Sequence, residues 1–311
     1  MRRSTLITLA LSATLGLAAC GGGGDPMDTG GGEGDAGGGD ASSAPGSLTV
    51  GSANFPENEL LAEIYAAALS DAGVEVDTQL NIGSREAYIA GIQDGSIDAL
   101  PEYTGGLATY LNPEITATSS EDVLADLQEN LPDDLQVLEI SEAEDKDSLV
   151  VTRETADELG LTSIADLADD AGDLTLGGPP EFETRPNGVD GLAEVYGLEF
   201  GGFRSLAAGA NLTVQSLANG QVDVANIFTT NPAIEENDFV VLEDPESLFA
   251  AQNVVPLIRS DAVNPTIEET LNEVSAALNT DNLTSMMVQV QTDGEDPADV
   301  AREFVDANLG G

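Results

Sequence analysis

Histidine and tryptophan are absent from this 311-residue chain, and cysteine and lysine occur once each, at Cys20 and Lys146. Without histidine there is no Ser-His-Asp or Cys-His nucleophile system and no imidazole ligand for a metal. The acidic stretch "DGEDPADV" near the C-terminus lacks the D-x-D-x-D-G spacing of a calcium loop. Composition does not exclude catalysis by a pair of carboxylates, as in glycosidases. We therefore expect no enzyme activity, no cofactor and no metal. Positive charge is also scarce: 9 basic residues face 57 acidic ones, for a formal net charge of −48. Nucleic acid is excluded as a partner, because binding it needs clustered Lys and Arg. The acid is spread along the chain, as on a solvated surface suited to a saline exterior, where salt screens self-repulsion. After the first residues no apolar run approaches the ~20 residues of a membrane-spanning helix.

The chain opens "MRRSTLITLALSATLGLAAC", with Arg2 and Arg3, an apolar run and small residues before the cysteine. This is the pattern of an export signal. The "LAAC" that ends it resembles the lipobox of bacterial lipoproteins, which implies cleavage before Cys20 and a lipid on its thiol. Residues 21–47 are rich in glycine and hold almost nothing to bury, so they read as a flexible tether.

From residue 48 the pattern becomes regular. The strand "SLTVG" leads into "PENELLAEIYAAALSDAG", with apolar residues at helical spacing and a stop at Gly73. Further alternation of strand and helix then runs to "IDALPEYTG". This βαβαβ grammar predicts a parallel sheet wrapped by helices, an α/β fold. The second half repeats it. "DGSIDALPEYTG" (94–105) is echoed by "NGQVDVANIFTT" (219–230) at a constant offset. Gly95 answers to Gly220, Asp98 to Asp223, Tyr103 to Phe228 and Thr104 to Thr229. The apolar segments "DSLVVT" and "NVVPLIR" lie between and after the halves, as two crossovers of a hinge would. We expect lobe 1 to comprise 48–150 and 253–311, with the amphipathic C-terminal segments packed back on it, and lobe 2 to comprise 151–252. Ligands of open α/β sheets bind beyond the carboxyl ends of the strands, where Tyr103-Thr104 and Phe228-Thr229 stand.

"VGSANFPENELLAEIYAAAL", "LNIGSREAYIAGIQDGSIDALPEYTG", "GGPPEFETRPNGVDGLAEVYGLEF" and "VDVANIFTTNPAI" resemble the extracellular solute-binding proteins of glycine betaine/choline-type ABC importers. The resemblance covers essentially all of 48–306. It implies a type II periplasmic-binding-protein fold of two α/β lobes, working as a monomer. Such a protein closes on a small zwitterionic or cationic solute and hands it to permease subunits in the membrane. It also implies an aromatic cage for a quaternary ammonium group. Carried over by motif, the ligand-binding set is Ser52, Asn54 and Phe55 after the first strand, Ser84 at a helix start, and Tyr103 and Thr104. From the second lobe come Phe182, Arg185, Phe228, Thr229 and Thr230, with Arg185 suited to clamp a carboxylate. Where many relatives have an aromatic residue near the first hinge strand, this chain has Lys146 and Asp147. Tyr65, Tyr88 and Tyr196 sit among apolar neighbours on predicted helices and are expected to pack rather than touch ligand. A histidine-derived betaine is the alternative ligand, and a sensing lipoprotein without transport is the alternative role.

Overall fold

The computed structural model describes residues 47–209 and 211–310. The signal segment, Cys20 and nearly all of the tether lie outside the described residues. Within lobe 1 the chain runs β1 (Leu48–Gly51), α1 (Pro56–Asp71), β2 (Val76–Gln79), α2 (Arg85–Asp94), β3 (Ala99–Tyr103), α3 (Thr104–Leu111), α4 (Ser120–Asn130) and β4 (Leu135–Val137). Lobe 2 follows with β5 (Asp147–Val151), α5 (Arg153–Leu159), β6 (Thr175–Gly178), α6 (Val189–Tyr196), β7 (Gly202–Ser205), α7 (Asn211–Ala218), β8 (Val224–Phe228), α8 (Ala233–Glu236) and β9 (Val240–Val241). The chain then returns to lobe 1 as β10 (Val254–Arg259), α9 (Pro265–Ala277), α10 (Thr280–Val288) and α11 (Pro297–Asn308).

Each lobe is built on a five-stranded sheet, ordered β2-β1-β3-β10-β4 in the first and β7-β6-β8-β5-β9 in the second. The two orders are equivalent place by place. The second strand in each order pairs in parallel with the first and third, and a strand that has crossed the hinge pairs antiparallel with the third. The strand Asp147–Val151 belongs to the second sheet, so the first crossing falls before Asp147 and not after residue 150 as expected. The reason lies in its pairing: Asp147 opposite Phe228 through Val151 opposite Val224. Its apolar run is the fourth strand that the second sheet needs.

Strand alternation places apolar residues on both faces of each sheet, and helices cover both. In lobe 1, Leu48, Val50, Ala99 and Val254 pack under α1, α9, α10 and α11, while Leu100 and Leu257 pack under α2, α3 and α4. α1 starts with Pro56, whose missing N–H costs nothing at a helix start, and with Glu57 and Glu59 in its first turn, where the helix dipole favours negative charge. It buries Leu60, Leu61, Ile64 and Leu69 completely, each worth about 1.5–3 kcal/mol of apolar burial. It ends at Gly73, which takes the left-handed φ of 85°. In lobe 2 the two layers hold Leu149, Val151, Leu176 and Val224 on one side, and Val150, Ala225 and Ile227 on the other.

The repeat read from the sequence has a structural meaning. Asp98 accepts from the Thr49 N–H at 2.8 Å, and its own N–H donates to the Thr49 carbonyl; Asp223 does both with Thr175. In each lobe one aspartate thus locks the start of β3 or β8 to β1 or β6. The residue just before it, Ile97 or Val222, fills the space over Gly51 or Gly177, where an added Cβ would approach to 2.8 Å and 3.0 Å.

Candidate functional site

The two sheets point their carboxyl ends at one another, and a pocket lies between them. Its lining includes Asn54, Phe55, Ser84, Arg85, Tyr88 and Tyr103 from lobe 1, and Phe182, Arg185 and Phe228 from lobe 2. Asp145 and Gln252 join them from the crossing segments, and Asp147 from the start of β5. The enclosed volume is about 50 Å³, room for a few water molecules.

Phe55 caps the N-terminus of α1 in an extended conformation, φ −141°. Its loop is fixed by Asn58, which accepts from the Ala53 N–H at 2.7 Å and donates to the Pro101 carbonyl at 2.9 Å. The Phe55 ring is therefore aimed into the cleft, 6.0 Å from the Tyr103 ring and 5.1 Å from that of Phe228 in the opposite lobe. Phe182 is supported from behind by Phe249, with ring centroids 6.5 Å apart. The cleft is narrow because Phe55 and Phe228 meet across it.

Beneath the rings of lobe 1 lies a buried ion pair. Glu102 accepts from Arg85 Nε and Nη2 at 2.7 and 2.9 Å, from the Tyr88 hydroxyl at 2.7 Å and from the Tyr103 N–H at 2.7 Å. Burial disfavours the Arg85 charge, but the Glu102 carboxylate outweighs it and holds the guanidinium protonated. The network fixes both tyrosines at once. The Tyr103 hydroxyl donates to Glu57 at 2.8 Å, and burial, then the negative charge of Glu57 and Asp145, pushes that phenol well above its ordinary range.

On the far side, Asp145 accepts from the Thr230 N–H at 3.1 Å and the Thr229 hydroxyl at 3.3 Å. Burial, followed by the proximity of Glu57, pushes the Asp145 carboxyl well above its ordinary value. Asp147 accepts from Asn226 at 3.0 Å. Where the sequence lacks the aromatic residue expected near the first hinge strand, the structure thus presents two carboxylates. Lys146 turns away to Glu144 at 3.2 Å. Further bonds link the lobes: Arg185 to Glu86 at 3.3 Å, Gln291 to the Gly209 carbonyl at 3.1 Å, and Thr292 to Glu236 at 2.5 Å.

Of the residues expected from the sequence, Asn54, Phe55, Ser84, Tyr103, Phe182, Arg185 and Phe228 line this one pocket. Ser52, Thr104, Thr229 and Thr230 do not. The Ser52 hydroxyl is spent on the Ala53 carbonyl and the Asn81 N–H, and that of Thr104 on the Ala251 carbonyl and the Asn253 N–H. Thr229 accepts from the Lys146 N–H and donates to Asp145, and Thr230 reaches Glu57. Tyr88, expected to pack, lines the pocket, whereas Tyr65 is fully buried in the core and Tyr196 bonds Asp244. Sequence reasoning also missed Asp145, Arg85 and Gln252. Only the motif neighbour of Arg85, Ser84, had drawn notice.

Two α/β lobes joined by two crossings, with a mixed aromatic and charged pocket between them, define a two-lobed solute-binding protein. Residues 46–307 match the substrate-binding domain of ABC-type glycine betaine transport systems, and the chain belongs to that family. It is 26% identical over 275 residues to the glycine-betaine-binding protein of Pseudomonas aeruginosa, covering 83% of this chain and 87% of the relative. It is 22% identical to an ergothioneine transport permease/ergothioneine binding protein of Helicobacter pylori, covering 83% of this chain and 47% of that longer protein. The fold matches the crystal structure of a glycine betaine/carnitine/choline ABC transporter protein with a TM-score of 0.67 at 20% identity, over 84% of this chain and 98% of the other. The chain is thus the substrate-binding part of an ABC importer, whose partners are a small solute and the permease, and which works outside the cytoplasmic membrane. Among the described residues no helix is long and apolar enough to cross a membrane.

Proposed function

We propose that the chain captures a quaternary ammonium solute, glycine betaine or choline, between its lobes and delivers it to the permease as an osmoprotectant. The observation that carries this reading is the convergence of Phe55, Tyr88, Tyr103, Phe182 and Phe228 with Asp145 and Asp147 on one interlobe pocket. Ring faces attract a quaternary cation by about 0.5–2 kcal/mol each, and this cation has no N–H to satisfy, so rings serve it better than hydrogen-bond acceptors do. The two aspartates place carboxyl groups where the missing hinge aromatic would stand. Arg185 and the N-terminus of α2 at Ser84 receive the carboxylate of a zwitterion, with Arg185 leaving Glu86 to do so.

The test is calorimetric titration with glycine betaine, choline and a neutral isostere carrying carbon in place of nitrogen. Binding of the cations with at least tenfold preference over the isostere is expected. Equal binding of all three, or of none, refutes the cage. Tyr103→Ala is expected to weaken binding by about tenfold to a hundredfold, and Tyr103→Phe by much less. A histidine-derived betaine, which the ergothioneine-binding relative brings into the same titration, also carries a trimethylammonium head.

Cys20 is proposed as the lipid-bearing residue, residues 21–47 as the leash that holds a monomeric binding protein at the outer face of the membrane, and binding without catalysis as the whole of its chemistry. Cys20→Ala is expected to leave a released or unprocessed form. Normal processing with retention in the membrane fraction would refute the anchor.

A further inference from the structure

Glu57 is fully buried yet does not line the pocket; it lies behind Tyr103 in the first turn of α1. Its two oxygens serve different lobes. Oε1 accepts from the Tyr103 hydroxyl of lobe 1 at 2.8 Å, and Oε2 accepts from the Thr230 hydroxyl of lobe 2 at 2.5 Å. Asp145 faces it from the first crossing segment, itself held by the Thr230 N–H. Away from the crossing segments, the other bonds named between the lobes are less buried: Glu86 of the Arg185 pair, and Thr292 and Glu236, stand at the exposed rim, and the Gln291–Gly209 bond is partly buried.

We infer that Glu57 is a positioning residue that couples the cage to lobe closure, because the bond that fixes Tyr103 and the bond that engages lobe 2 are made by one carboxylate. Opening the lobes removes the Thr230 hydroxyl from Glu57, and water enters beside it. Closing restores a desolvated carboxylate that needs both hydroxyls, since a buried charge with an unmade bond is costly. The ring of Tyr103 is therefore held in its ligand-facing position most firmly when the lobes are shut. Burial raises the Glu57 carboxyl, and the bonds from Thr230, Tyr103 and Asp145 oppose that rise. The charged and titratable groups around it are Tyr103 from β3, Asp145 from the crossing, and, across the pocket, Asp147, Arg85 and Arg185.

This inference rests on the interlobe pocket being the solute site and deepens that reading. It is independent of which solute binds, because Glu57 does not reach the pocket. The experiment titrates glycine betaine and choline into Glu57→Ala, Glu57→Gln, Thr230→Val and Tyr103→Phe. Glu57→Ala is expected to weaken both ligands by the same factor, about tenfold to a hundredfold, the worth of bonds to a charged group. Glu57→Gln should recover most of the loss, since its amide still accepts from Tyr103 and donates to the Thr230 oxygen. Tyr103→Phe added to Glu57→Ala should cost nothing further, as the two act as a unit. Small-angle scattering of the ligand-free chain should show a larger radius for Glu57→Ala and Thr230→Val than for the parent. Parental affinity and radius in a folded Glu57→Ala, additive losses in the double variant, or a changed glycine betaine to choline ratio would each overturn the inference. Should Glu57→Ala fail to fold, Thr230→Val decides alone: parental radius and affinity there overturn it. If neither compound binds the parent, the ligand class fails, while the radii still test the coupling.

Discussion

The equivalent strands β3 and β8 end in the cleft in the same register, but lobe 1 follows β3 at once with α3, and lobe 2 follows β8 with a turn and the single-turn helix α8. One place back, lobe 1 has Glu102, fully buried on Arg85 and Tyr88, where lobe 2 has the apolar Ile227. The scaffold was kept and the strand end was varied. Lobe 1 invests a buried charge network in fixing two tyrosines, and lobe 2 offers Phe182 and Phe228 on an apolar base. A rigid half and a simpler half then meet across the pocket. This difference fits a division in which lobe 1 shapes the cage and lobe 2 closes it.

The comparison can be broken most forcefully at Glu102. Glu102→Ala strands a buried guanidinium, and we expect it to cost about 3–5 kcal/mol in urea unfolding, with loss of binding. A loss under 1 kcal/mol would mean that lobe 1 is no more rigid than its twin. Next comes pH. Asp145 carries a raised carboxyl in the folded chain, so between the ordinary carboxylate value and the raised one the folded state holds more protons than the unfolded one. Stability should therefore fall as pH rises through that range, and Asp145→Asn should flatten the slope in a series of melting curves. Asp166 in lobe 2 has the opposite sign. Bonds from Thr162 and Ser163 lower it to about 2, so its contribution is present above the unfolded value and is lost as pH falls toward 2.

A sharper test sets equivalent glycines side by side. Gly51→Ala and Gly177→Ala each bring a Cβ to 2.8 Å of a buried side chain, Ile97 or Leu206, and should each cost about 1–3 kcal/mol by overpacking. A large inequality between them would show that the sheets differ in compliance. The smallest effect is expected at the paired aspartates. Asp98→Asn and Asp223→Asn keep an acceptor for the Thr49 and Thr175 N–H groups and should cost about 1 kcal/mol each. The loss at Asp98 should be the greater, because Arg259 approaches it at 3.6 Å.

The scaffold was legible because its signals are periodic and repeated. Gly95, Asp98 and Tyr103 have partners at Gly220, Asp223 and Phe228, and helical spacing marked α1 and α9. The site was legible where a motif placed an aromatic or arginine at a strand end, as for Phe55, Tyr103, Arg185 and Phe228. It was illegible in two respects. Tyr88 sits among apolar residues on α2, and periodicity cannot tell a ring that packs inward from one that also shows an edge to a cleft. Glu57 and Asp145 are two acids among 57, and only burial distinguishes them from the solvated majority. Ser52 and Thr104 fail for the converse reason: they adjoin the site in sequence, but backbone groups claim their hydroxyls.

The chain order of lobe 1 bears on how the protein is assembled as it is synthesised. Lobe 2 is one continuous run from β5 to β9, so all five of its strands are available once residue 241 has emerged. Lobe 1 waits much longer. Its sheet lacks the strand between β3 and β4 until β10 arrives, and α1 stays uncovered until α9 and α11 follow. Three of the four helices on that face, α9, α10 and α11, are thus made after the whole of lobe 2. The second lobe in sequence is the first able to fold, and the lobe that carries the buried Arg85–Glu102 pair must keep its apolar strands out of wrong company until α11 has emerged.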